Sequence, residues 1–196
     1  MESFINKVCP DKDMRILDVG FSDNEYSPTD NFIEKHYPYP QNLTALGIDT
    51  PQYFKKRYPK VNVVQYDGTF FPFKDKVFDY CWSNAVIEHV GGFDKQLFFL
   101  NEICRVSKKA FITTPNKFFP IELHTRTPIL HYLPKNLFDG YLSLAGKKWA
   151  SGNYMHLLSA KNIKSLLRES AVADYKIYNN KLLGFTLDFV VIFNSK

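Results

Sequence analysis

Five short apolar runs in this chain each end on residues able to make hydrogen bonds to a ligand. Asp18 and Gly20 close the first run, RILDVG, and Asp49 closes the second, NLTALGID. Asp67 and Gly68 follow the third, VNVVQYD, Ser83 and Asn84 end the fourth, and Thr114-Pro115-Asn116 ends the fifth. A carboxylate in such a place accepts hydrogen bonds from ribose hydroxyls or from an amine, and a neighbouring glycine lets the backbone approach a flat base closely. One aspartate at a strand end is ordinary turn chemistry. Three in succession on one rim repel one another, and are easier to understand with a polyol or a cation between them.

The second set of chemical residues lies further along. His124, His131, His156, Glu122, Arg126, Trp149 and Tyr154 fall between Lys117 and Leu158, a stretch rich in aromatic residues and proline. Histidine titrates near neutral pH and suits a general base for an oxygen nucleophile. His124 is the first choice for that role and His89 the second, with local packing as the plain alternative for His89. His131 and His156 read as structural or exposed, and Arg126 as either an anchor for an anionic substrate or a solvated surface residue. Glu122, His124 and His131 match no compact zinc spacing, so no metal site is read. Phe70, Phe71 and Phe73 read as core and turn packing.

The elements that must position these residues follow from periodicity. Short apolar runs alternate with helical patterns. SPTDNFIEKHY is expected to be a helix with Ser27 as N-cap and Pro28 at its first position, and SAKNIKSLLRES a helix capped by Ser159. FDYCWSNAVIEHV reads as a strand running into a helix, DKQLFFLNEICRV as an amphipathic helix, and residues 117–158 as irregular. ADYKIYNNKLL and TLDFVVIFN read as a terminal hairpin. Strands alternating with helices predict an α/β fold, an open parallel sheet with helices on both faces and the hairpin at one edge. Ligands in such sheets bind outside the carboxyl ends of the strands, where the aspartates stand.

Length and composition set the limits. The 196 residues are 45% hydrophobic and 23% charged, with 18 Phe and 12 Tyr, which suits one domain spanning 1–196. The net charge of +5 is mild and there is no long Lys/Arg tract, so no nucleic-acid partner is read. Cys9, Cys81 and Cys104 are scattered and odd in number, and the polar N-terminal stretch is no signal peptide; together they predict reduced thiols and a cytoplasmic protein. No apolar run approaches a membrane span. The oligomeric state is left open.

The order ILDVG, then GID, then YDGTFFPFKDKVFDYCWSNAVIEHV resembles the class I S-adenosylmethionine-dependent methyltransferases. Within them it is most similar to the branch called the type 11 methyltransferase domain, and the resemblance runs from Arg15 to the terminal hairpin. It implies a Rossmann-like seven-stranded sheet of order 3-2-1-4-5-7-6 with strand 7 antiparallel, and S-adenosyl-L-methionine as cofactor. It also implies that Asp18 and Gly20 line the methionine part, that Asp49 takes the ribose hydroxyls, and that Asp67 faces the adenine amine with Gly68 beside the ring. Ser83 and Asn84 would present main-chain carbonyls to the amino group. The implied activity is methyl transfer to a small-molecule acceptor, at a hydroxyl, with glycan or surface-polymer precursors as one class.

Two departures stand out. The loop lacks the glycines expected at Ser22 and Asn24, where Asn24 is the residue able to take positive φ. No helices precede the first strand to cover the substrate, which leaves 117–158 as the expected substrate-binding or lid insertion. These departures keep a second class open, a non-catalytic methyltransferase-like partner subunit. A nicotinamide-dependent enzyme is disfavoured, because Asp18-Val19-Gly20 replaces three spaced glycines beside a pyrophosphate.

Overall fold

The computed structural model describes residues 12–196. Cys9 and most of the polar N-terminal stretch lie outside them. Seven strands form the main sheet: β1 (Ile16–Val19), β2 (Leu43–Gly47), β3 (Asn62–Gln65), β4 (Phe78–Asn84), β5 (Ser107–Pro115), β6 (Val172–Leu182) and β7 (Phe185–Ser195). Their order is 3-2-1-4-5-7-6. The pairs β1–β2, β1–β4, β2–β3 and β4–β5 are parallel, and β7 pairs antiparallel with both β5 and β6. The expected sheet is therefore present, with β4 at its centre and β1 beside it.

Buried parallel strands have no solvent face, so their residues alternate between two cores. Leu17, Val19, Cys81 and Ile112 face one core, which is completed by Ile103 of α3 (Phe93–Val106) and Leu166 of α5 (Ala160–Glu169). Ile16, Ala45, Tyr80 and Phe111 face the other, with Ile33 of α1 (Phe32–His36) and Phe54 of α2 (Gln52–Arg57). Cys81 and Cys104 are free and buried. The hairpin turns at Leu183-Gly184, both at positive φ, as a tight right-twisted connection requires. Ser159 caps α5 in a capping box with Asn162.

Three local expectations are corrected. The helix after the first loop begins at Phe32, with Asn31 as its N-cap in the left-handed region at φ 47°. The Asp30 carboxylate takes the amides of Tyr26 and Ser27, which fixes residues 27–30 as a turn. After β4 the chain makes only a single 3-10 turn at Ile87–His89 before Gly91 and Gly92. The segment 117–158 contains the helix α4 (Lys135–Leu144) and a two-residue ladder, Ile121–Glu122 against Thr127–Pro128. Phe138, Leu142, Ala150 and Met155 give it a small core of its own.

Candidate functional site

A cavity of about 730 Å³ opens at the carboxyl ends of β1, β2 and β4. Gly20, at φ +108°, turns the chain out of β1 under it. A Cβ on Gly20 would lie 2.3 Å from Val86 Cγ2. Gly20→Ala is therefore expected to cost about 2–4 kcal/mol through backbone strain and overpacking; an unfolding free energy from urea titration within about 1 kcal/mol of wild type would contradict this close approach.

The glycine-poor loop is held by its own side chains. Asn31 mimics a strand neighbour: its Oδ1 accepts from Ser22 N at 2.8 Å and its Nδ2 donates to Ser22 O at 2.8 Å. Asn31 takes the positive φ expected of Asn24, because its amide pairs with the Ser22 backbone while starting α1. Asp23 is buried and accepts from the amides of Tyr53 and Phe54, both at 2.8 Å, satisfying the free start of α2. Glu25 receives the Tyr58 hydroxyl and pairs with Lys35 at 3.1 Å. Phe21 turns inward on Phe54, and Gly47 leaves room for its ring.

Two buried carboxyl groups sit at one end of the cavity. Asp18 is 5% exposed and Glu34 6%, and both line the cavity. Neither oxygen of Glu34 receives a hydrogen bond of ordinary geometry. Burial, then the neighbouring Glu34 carboxyl, drives the Asp18 pKa well above the usual carboxylate range. Burial likewise lifts Glu34 to about 7. Nothing in its sequence position marks Glu34; only the packing of α1 against β1 brings it to Asp18. No Lys or Arg lines this cavity among the described residues.

The other end holds His89, His124 and Tyr154. The Nε2 atoms of His89 and His124 lie 3.1 Å apart. His89 Nδ1 meets the carbonyl of Tyr154 at 2.9 Å, and His124 Nδ1 meets Glu122 Oε1 at 2.8 Å. Behind them Glu88 is fully buried, with Oε2 receiving the Thr114 hydroxyl at 2.9 Å. Burial raises Glu88 to about 7 and lowers His89. Burial also acts to lower His124, but the Glu122 carboxylate more than offsets it and the net shift is upward. Burial would raise Glu122; donors from His124 and Thr125 instead hold it at about 2. The sequence brought forward His89 and His124 singly and missed Glu88, whose signal was only its place beside His89.

Gly20, Gly68 and Asn84 also line the cavity. Three other named residues are not on its wall. Asp49 is exposed at the end of β2 and accepts from Asp23 N at 3.3 Å. Asp67 is exposed and holds Thr69 through amide and hydroxyl, donors that lower its pKa. Ser83 is buried, its hydroxyl on the Val19 carbonyl at 3.2 Å. Arg126 is exposed and away from the cavity wall, and His131 and His156 line a second cavity of about 270 Å³.

A methyltransferase-domain profile matches residues 17–110, which takes in β1 to β4 and the start of β5. The strand ends around the cavity all fall within that match. Residues 17–110 therefore match a methyltransferase domain, and S-adenosylmethionine-dependent methyltransferases share the fold. Over 97 residues it is 31% identical to the ribosomal RNA large subunit methyltransferase H of Metamycoplasma arthritidis (strain 158L3-1), an alignment that covers 50% of this chain and 66% of that one, just under two thirds of its length. A SAM-dependent methyltransferase from Methanosarcina mazei superposes with a TM-score of 0.57 at 14% identity, covering 97% of this chain and 96% of the other. One from Aquifex aeolicus gives 0.59 at 16%, covering 100% and 89%. These structures share the fold.

The cofactor that this likeness implies is S-adenosylmethionine, and the cavity fits it. The buried Glu34 oxygens lack donors, and Asp18 lies beside them. The ammonium and sulfonium of the cofactor are cations, which such a wall favours. Gly20 lets the backbone turn tightly beneath the cavity against Val86, where any side chain would clash. Among the described residues, no helix is long and apolar enough to cross a membrane.

Proposed function

We propose that this methyltransferase moves the methyl group of S-adenosylmethionine to a hydroxyl of a small molecule held between the cofactor and the histidine pair. The observation that carries the reading is the polarity of the cavity: buried acids at one end, His89 and His124 at the other, and no cation on the described wall. The bound cofactor supplies a methyl on sulfonium; transfer forms a C–O bond, breaks a C–S bond, leaves a neutral thioether and releases the hydroxyl proton.

The chain's own residues supply alignment, charge and exclusion of water. Asp18 and Glu34 hold the amino-acid end, with the main chain at Gly20 and Asn84 beside it. Asp49, at the end of β2, takes the ribose hydroxyls. Gly68 lies beside the adenine ring, with Asp67 at its amine. His124, oriented by Glu122, and His89, oriented by the Tyr154 carbonyl, are the catalytic pair that meets the acceptor oxygen. The segment 117–158 covers the acceptor with Leu123 and Tyr154. A wall with carboxylates and no Lys or Arg disfavours a phosphate backbone, so the acceptor proposed here differs from the ribosomal RNA named for the curated relative. Glycan and surface-polymer precursors are hydroxyl-bearing acceptors of the required kind.

Calorimetry with S-adenosylmethionine and its demethylated product tests the cofactor site. Wild type should bind both. Asp49→Ala should weaken binding about 10–100-fold, the worth of hydrogen bonds to a charged acceptor; unchanged binding removes Asp49 from the site. A second reading, the non-catalytic partner subunit, is favoured by the bulky loop alone, and bound cofactor in the purified protein would count against it.

A further inference from the structure

Three side chains converge at the acceptor end in a way that the histidines alone do not explain. His89 Nδ1 faces the Tyr154 carbonyl, which can only accept, so that nitrogen carries the hydrogen and Nε2 of the neutral ring is a lone pair. His124 Nδ1 faces the Glu122 carboxylate, and the same tautomer follows. Two neutral rings would then set lone pair against lone pair at 3.1 Å. The third group is Glu88. Its Oε1 is buried without a hydrogen-bond partner and lies 4.0 Å from His89 Nε2 and 3.9 Å from His124 Nε2. A proton between the rings would join the two nitrogens and still leave that carboxylate oxygen without a donor.

We propose that Glu88 Oε1, His89 Nε2 and His124 Nε2 bind a divalent metal ion of the zinc type. The three ligand atoms lie within 4.8 Å of one another. Tetrahedral zinc, with bonds of about 2.0–2.2 Å, places its ligand atoms roughly 3.3–3.6 Å apart, inside the 3.1–4.0 Å span of these three atoms. Two imidazoles and one carboxylate are a donor set that such ions favour. Each ligand is already oriented by an outer partner: Glu122 on His124, the Tyr154 carbonyl on His89, and Thr114 on the second oxygen of Glu88. Outer contacts of this kind fix tautomer and direction at metal sites. Both histidines line the cavity, so the remaining coordination position opens towards the acceptor. The assignment deepens the reading given above and rests on it only for this last consequence: the histidines would meet an acceptor oxygen through the ion they hold.

The test uses tag-free full-length protein stripped with a chelator. Zn²⁺ is titrated calorimetrically, Co²⁺ by its visible absorption, and S-adenosylhomocysteine is titrated separately. One ion per chain at micromolar affinity or tighter is expected, weakened at least about 100-fold in His124→Ala and in His89→Ala. Undiminished S-adenosylhomocysteine binding by either variant shows that it is folded. Glu88→Gln gives a third, near-isosteric variant and should weaken the ion similarly. No ion bound at millimolar Zn²⁺, or binding indifferent to both histidine substitutions, overturns the metal site. S-adenosylhomocysteine binding without ion binding leaves the cofactor reading and removes this one. Ion binding that follows the substitutions, with no S-adenosylhomocysteine bound, does the reverse.

Discussion

Between pH 5.5 and pH 7, S-adenosylmethionine should bind this protein about fifteenfold more tightly as the pH rises, and Glu34→Gln should flatten that slope. The expectation comes from one proton. Glu34 is buried and its pKa stands at about 7, above the ordinary 4.5. A cationic ligand needs the carboxylate, so binding below pH 7 must expel the proton, and affinity rises until the free protein is itself ionised. Calorimetry in buffers of different ionisation enthalpy measures the proton released; none released near pH 6 would remove Glu34 from the cofactor site. The same shift sets the stability of the ligand-free protein. The folded state keeps a proton that the unfolded chain gives up above 4.5, so stability should fall as pH climbs towards 7, by of order 2–3 kcal/mol. The difference between wild type and Glu34→Gln in urea isolates this from other titrating groups. Above neutral pH, bound cofactor should recover much of the loss.

Removing Glu122 should have the largest effect on the segment 117–158. Its buried carboxylate accepts from the amide and Nδ1 of His124 and from the amide and hydroxyl of Thr125. Glu122→Ala deletes the acceptor for all four donors and leaves them in a place closed to water. Breaking a buried charged network of this kind costs about 3–5 kcal/mol. Urea unfolding should show that loss, and proteolysis between Lys117 and Leu158 should become faster. A loss below about 1 kcal/mol would mean that the turn after the small ladder relaxes to satisfy its own donors. Binding of S-adenosylhomocysteine should change little if folding is preserved, because Glu122 lies outside the cavity lining.

Much of the architecture was legible before any coordinate. ILDV is apolar at three of its four positions, which is the pattern of a parallel strand buried on both faces. The helix patterns between the runs required crossovers, and the terminal hairpin required an antiparallel edge. Ser159 with Asn162 marked a helix start that the fold uses. Local readings failed where a distant group decided the backbone. Ser27-Pro28 is a sound helix start in isolation, yet Asp30 takes the amides before it and Asn31 bonds Ser22 across nine residues. The pattern of SNAVIEHV suits a helix, but Ala85 takes φ 55°, its amide on Thr113 of the neighbouring strand.

The sequence by itself determined the alternation of strands and helices, the edge hairpin and the rim on which ligands must sit, because hydrophobic period and turn chemistry are local properties; the order of strands came only through the family resemblance. It also put His89 and His124 among the candidates. Tertiary structure alone decided which of these groups meet. Glu34 lies sixteen positions beyond Asp18, and Glu88 thirty-six before His124; packing makes the first pair an acid wall and the second part of a three-ligand cluster. The physical reason is that a carboxylate or an imidazole has no fixed chemistry of its own. Burial, and the few ångströms to its neighbour, set its charge and its use.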